Sequence, residues 1–418
     1  MNKFEFKKVL LNNGIPVYLY SDPACKQVNF QYIVKYGSSG EWYDFEYDGK
    51  KIHVGPGYAH YLEHLLGERS KHGNIYSNFS NRCLDTNAWT SNEVTRYFFQ
   101  GIDGIKQSMK ELIEAMECPV FDDETVEHTR HAICEEASTC QDDPSHILSG
   151  LVERNLYSDL ELYDETYCTI GNRETTNLIT TEKLYDCYNA FYTDNNKVLV
   201  VIGNIDEKEI IDYLNEIYDK IPRHKSSLIL PDYDFAPIRT SYQEIERATK
   251  VDIDGFAFKV KGPEGMSNID LFYGTTFFYD FLFDGETSFL KYAKEHNFFE
   301  MITFAYVNWR QNYVNFSQGF VSNDPDEYIK RFLEAANEKK MTPEEFELLR
   351  RSYIANELRV IQDKYRPAHY LGYNLPYSDN YTDLEYFKGL TYDRYMEILN
   401  QLDFSAYTQG KIRELSIK

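Results

Sequence analysis

The chain has 418 residues, 42% hydrophobic and 16% aromatic, enough apolar material for two to three packed domains and too much for a disordered polymer. A net charge of −23 argues against nucleic acid and anionic membrane surfaces, which need clustered Lys and Arg, and suits the steering of basic peptides. No run approaches the roughly eighteen apolar residues of a membrane span, and the start lacks a secretory profile. Seven cysteines, an odd number without CxxC spacing, read as free thiols in a reducing, cytoplasmic setting.

In chain order, residues 8–20 read as two strands around the Asn13-Gly14 turn, and 29–38 as a further strand. The run "GPGYAHYLEHLLGE" (55–68) reads as a helix opened by Gly-Pro-Gly. A strand follows at 93–100, helices at 105–116, 123–138 and 180–192, and a buried strand at 197–205. Asp206 caps a helix over 207–221. Residues 222–240 hold three prolines and no periodicity, and read as a linker between a first domain (1–221) and a second (241–418). The pattern then restarts, with strands at 251–260, 301–308 and 313–321 and helices at 267–283, 287–297 and 342–365. Thr342 and Glu345 form a capping box. The fold class is therefore α+β: two similar α/β-layer domains, each a mixed sheet packed on helices.

On a helix, positions i and i+4 share a face, so His60 and His64 point the same way, one turn apart. Two imidazoles so placed suit one zinc ion, and Glu63 beside them suits a general base. The alternative is two packed core histidines and a stray carboxylate, but burying all three without a purpose is costly. Catalytic zinc takes three protein ligands. The helix 123–138 offers Glu135 and Glu136, with His128 and His131 as rival donors, and pattern alone does not choose among them.

The match runs past this motif. "GYAHYLEHLL", "LDTNAWTSNEVTRYFF" (84–99), "FDDETVEHTRHAICEEASTCQDDP" (121–144) and the stretch 165–206 resemble the pitrilysin/insulinase family of zinc peptidases, whose motif His-x-x-Glu-His is the inverzincin signature. The resemblance is closest to the small bacterial members and to the catalytic subunit of mitochondrial processing peptidase, and implies one half of a clamshell. It implies Zn2+ held by His60, His64 and Glu136, with Glu63 as base. It also implies that Asn87 and Ala88 lie on an edge strand beside which a peptide substrate adds. The family's second acidic residue falls on Thr129, with Glu127 close by.

In the second domain the resemblance implies an Arg and, seven residues on, a Tyr that reach the opposite half and stabilise the oxyanion. Those positions fall on Ala293 and Glu300, and no arginine lies between Arg247 and Arg310. The expectation is a metalloendopeptidase subunit of a heterodimer, with a paralogous partner supplying Arg and Tyr. Its tasks would be leader-peptide removal or peptide degradation. The alternatives are a non-catalytic scaffold and a peptide-binding subunit of the same fold.

Overall fold

The computed structural model describes residues 6–157, 170–231, 238–283, 288–296, 301–310, 313–363 and 382–415. It packs as two compact units. The first spans Met1–Ser138, Thr169–Asp232 and Val360–Thr382; the second spans Thr139–Cys168, Tyr233–Arg359 and Asp383–Lys418.

The first unit opens with β1 (Lys7–Leu10), β2 (Pro16–Ser21) and β3 (Val28–Val34), then β4 (Asp44–Tyr47), β5 (Lys50–His53), β6 (Asp85–Thr90), β7 (Thr95–Gly101), β8 (Lys197–Gly203) and β9 (Leu228–Ile229). Its main sheet has the order β1-β2-β8-β3-β7-β6; β2 and β8 run parallel and the other neighbours antiparallel. Strand β8 is buried along its whole length and β3 nearly so, because both faces of the sheet are covered. One face packs Tyr18, Ile33, Val198, Val200 and Ile202 together. Helices cover the other: α1 (Tyr58–Glu68), α2 (Ile75–Asn81) and α3 (Ile105–Glu117). Ring contacts of Phe99 with Phe30 and Phe79 knit α2 to this face. Helix α4 (Asp123–Gln141) follows. The chain then enters α5 (Pro144–Asn155) of the second unit before returning with α6 (Arg173–Asn177), α7 (Thr181–Phe191) and α8 (Glu207–Tyr218).

The second unit repeats the mixed-sheet plan. Its strands β10 (Tyr242–Arg247), β11 (Ile253–Lys261), β12 (Met301–Arg310), β13 (Tyr313–Val321) and β14 (Asp403–Glu414) take the order β10-β14-β11-β13-β12, with β10 and β14 parallel. Helix α5 lies on one face through Leu148, Leu151 and Val152, against Ile253, Ala257 and Ile412. Gly255 and Gly410 sit opposite each other on β11 and β14 beneath it. A Cβ at Gly410 would come within 2.7 Å of Val152, and one at Gly255 within 3.1 Å of Leu148, so this close seat requires both glycines. The other face stacks Phe256 and Phe258 with Phe316 and Phe332. Phe332 comes from α11 (Pro325–Glu338), which follows α9 (Asn268–Phe283) and α10 (Ser288–Glu295); α12 (Pro343–Gln362), α13 (Leu384–Gly389) and α14 (Tyr392–Gln401) complete the unit. Among the described residues, no helix is long and apolar enough to cross a membrane.

Candidate metal centre

Helix α1 carries the His-x-x-Glu-His run and is apolar nearly all round, so it is buried rather than laid on the surface. Tyr58, Ala59, Tyr61, Leu62, Leu65 and Leu66 are each at most 4% exposed. No side chain caps its start. Gly57 does so with φ +91°, a left-handed conformation that suits glycine. A Cβ there would stand 2.6 Å from the Ile170 carbonyl oxygen. Gly57→Ala is therefore expected to destabilise the chain by about 1–3 kcal/mol, read as a lowered thermal midpoint. A midpoint unchanged from wild type would contradict the tight seat.

Helix α4 starts with a reciprocal cap: Asp122 Oδ1 accepts the Thr125 N–H at 3.0 Å, and Thr125 Oγ1 accepts the Asp122 N–H at 2.8 Å. Its inward stripe is Val126, Thr129, Ile133 and Ala137, all buried. Tyr61 of α1 donates its hydroxyl to the Val126 carbonyl at 2.5 Å, which fixes one helix against the other. That docking sets Glu136 across from α1.

Glu136 Oε2 stands 3.7 Å from His60 Nε2 and 3.6 Å from His64 Nε2. The two imidazole centroids are 4.7 Å apart, and metal-binding atoms of His60, Glu63 and His64 lie within 4.8 Å of one another. These residues line an open cleft of about 420 Å³ with Glu68, Tyr76, Thr86, Asn87 and Ala88. Of the rivals left open by pattern, Glu135 and His131 are exposed, as is Glu136 with its side chain at 47%, and His128 accepts from Arg69 at 2.5 Å. Thr129 is buried, and Glu127 is exposed and paired with Arg130.

Burial holds His60 down to about 4, with the charge of His64 adding to the effect. It pushes the Glu63 carboxyl up to about 7, although Thr90 donates its hydroxyl to Glu63 Oε2. Burial also opposes charge on His64. The nearby carboxylates of Glu136 and Glu68 outweigh it and raise this histidine to about 10. The approach of His64, and then of His60, keeps Glu136 below its usual range. His64 thus stands between two carboxylates, Glu136 on its Nε2 side and Glu68 on its Nδ1 side, and Glu63 is 9% exposed beside it.

Asn87 and Ala88 lie on β6, at the edge of the sheet, opposite Phe98 and Tyr97 of β7. Asn87 Oδ1 accepts the Ala88 N–H at 2.9 Å. Sequence reasoning missed Glu68, Tyr76 and Thr90. Glu68 carries the same i,i+4 signal that joined His60 to His64; Thr90 and Tyr76 carry none. In the second unit Ala293 is buried, and Glu300 lies outside the described residues.

A family model described as Insulinase (Peptidase family M16) matches residues 47–170, and one described as Peptidase M16 inactive domain matches residues 178–353. The chain is similar to the uncharacterized zinc protease YmfH of Bacillus subtilis (strain 168), at 29% identity over 212 residues, 51% of this chain and 49% of that protein. It is also similar to an uncharacterized zinc protease of Rickettsia felis, at 24% identity, with 55% and 53% of the two chains covered. It thus matches about half the length of these curated relatives. Its fold superposes on an M16-like peptidase from Alicyclobacillus acidocaldarius with a TM-score of 0.87, at 20% identity and 99% of both chains. Against pitrilysin the TM-score is 0.68 at 16% identity, covering 99% of this chain and 45% of that one, so the fold matches about half of that chain.

Proposed function

We propose that this chain, which belongs to the insulinase (M16) peptidase family, is the metal-holding subunit of a zinc-dependent endopeptidase, with His60, His64 and Glu136 as ligands and Glu63 as general base. The observation that carries the reading is the approach of one carboxylate oxygen of Glu136 to Nε2 of both histidines, 3.7 and 3.6 Å away, beside a buried Glu63. The donor set fits the ion. Two imidazoles and a carboxylate are a zinc set, and His60, held neutral by burial, is already in the ligand form. Its Nδ1 is buried with no hydrogen-bond partner, so packing alone holds the ring. Nε2 of His64 likewise faces Glu136, at 3.6 Å, and so can serve as a ligand.

Bound zinc supplies Lewis-acid activation of water and polarisation of a carbonyl. The chain supplies the rest. Thr90 fixes Oε2 of Glu63, leaving Oε1 to take a proton and return it to the leaving amine. A peptide can add as a strand along β6, displacing the bond between Asn87 and Ala88. Leader segments and short peptides both suit such a site, and the acidic chain favours basic ones. The thiols and acidic balance fit the cytoplasm. A paralogous partner is proposed to bring the Arg and Tyr.

The test is metal analysis of the purified chain. One zinc per chain is expected, and His64→Ala should bind it at least about 100-fold more weakly. Wild type without stoichiometric metal would sink the reading and leave a scaffold of the same fold.

A further inference from the structure

Resting on that metal-centre reading, we infer that Glu68 is the positioning residue for His64: its carboxylate takes the Nδ1–H and so turns Nε2 toward the metal. His64 stands between two carboxylates on opposite edges of its ring. Nε2 faces Glu136 at 3.6 Å, and Nδ1 faces Glu68 Oε1 at 3.2 Å. Glu136 also faces His60, so the shared edge is the metal edge and Glu68 stands behind the ring. A carboxylate only accepts, so the bond to Glu68 fixes the hydrogen on Nδ1 and leaves the Nε2 lone pair for a ligand bond.

The two histidines need different support. The His60 side chain is 8% exposed and its Nδ1 has no partner, so the packed core orients it. The His64 side chain is 21% exposed, near the open cleft, where packing constrains it less. Glu68 lies one further turn along the same face of α1, so the helix that spaces the two ligands also spaces the support. Other groups on α4 do not fill this role. Thr129 has no charge and its hydroxyl is buried without a partner, while Glu127 pairs with Arg130.

Zinc affinity of the full-length chain, measured by chelator competition after metal removal, tests the assignment. Glu68→Ala and Glu68→Leu should weaken zinc binding by about 10- to 100-fold while the metal-free chain still unfolds in one cooperative transition. Glu68→Gln keeps an acceptor for Nδ1–H and should recover most of the affinity, whereas Glu127→Gln should bind as wild type. A folded Glu68→Ala or Glu68→Leu chain within about twofold of wild type overturns the role of Glu68 and leaves the metal centre standing. Wild type that binds no zinc fails the metal centre itself, an outcome distinct from the first.

Discussion

Glu63→Gln is expected to keep one zinc per chain and to lower peptide cleavage by the completed enzyme about 10²- to 10⁴-fold, the usual contribution of a general base. The substitution is nearly isosteric, and its amide oxygen still accepts the Thr90 hydroxyl, so the geometry beside His60 and His64 survives. What is lost is the group that accepts a proton. The same change should not weaken the fold. Glu63 is 9% exposed, and burial pushes its carboxyl from 4.5 up to about 7. A carboxyl raised in the folded state costs nothing below its unfolded value, where both states are protonated. The cost grows as pH rises through the window from 4.5 to about 7 and is then fully present. Metal-free Glu63→Gln should therefore match wild type near pH 4 and exceed it in stability above about pH 7, measured by denaturant unfolding at each pH. Normal cleavage by Glu63→Gln would remove Glu63 from the base role. An unchanged stability difference across that pH range would mean that burial does not raise this carboxyl.

The parts of the site legible in sequence are those joined by one helix. His60, Glu63 and His64 share α1, so spacing alone set them on one face. Glu136 could not be reached that way, because it depends on how α4 docks, and that docking rests on the bond from Tyr61 to the Val126 carbonyl. Resemblance to a family chose Glu136 over Glu135, and Glu136 Oε2 stands 3.7 and 3.6 Å from Nε2 of the two histidines. Strand β8, packed on both faces, announced itself as an apolar run. Helix α5 did not. Its boundary is the pair Asp143-Pro144, a cap followed by proline at the first turn, which lies beyond the helix read over 123–138 and marked no element there. Its apolar face is recognisable only once Gly255 and Gly410 are seen beneath it. Strand β14 was missed for a related reason: the burial that defines it comes from neighbours on β10 and β11, distant in sequence.

The purified chain alone is expected to bind zinc yet cleave peptides at least about 10²- to 10³-fold more slowly than its mixture with the proposed partner, the usual loss for one missing oxyanion donor. The residues proposed to hold a metal and move a proton lie within the first unit, on α1, α4 and β6. Groups that would stabilise the developing oxyanion are a separate requirement, and they have to be cationic or good donors aimed at the carbonyl oxygen. The second unit has no arginine between Arg247 and Arg310, and Ala293, where the pattern asks for one, is buried and apolar. On the proposed reading, two copies of this chain would duplicate the base without bringing that Arg and Tyr. Adding a paralogue that lacks the His-x-x-Glu-His motif but carries Arg and Tyr should restore turnover mainly through kcat, since those contacts strengthen in the transition state. Replacing that Arg in the paralogue should return the mixture to the level of the single chain. A single chain as active as the mixture would defeat the heterodimer and require the oxyanion donors to come from this chain, with the phenol of Tyr76, which lines the same cleft, as the first group to substitute.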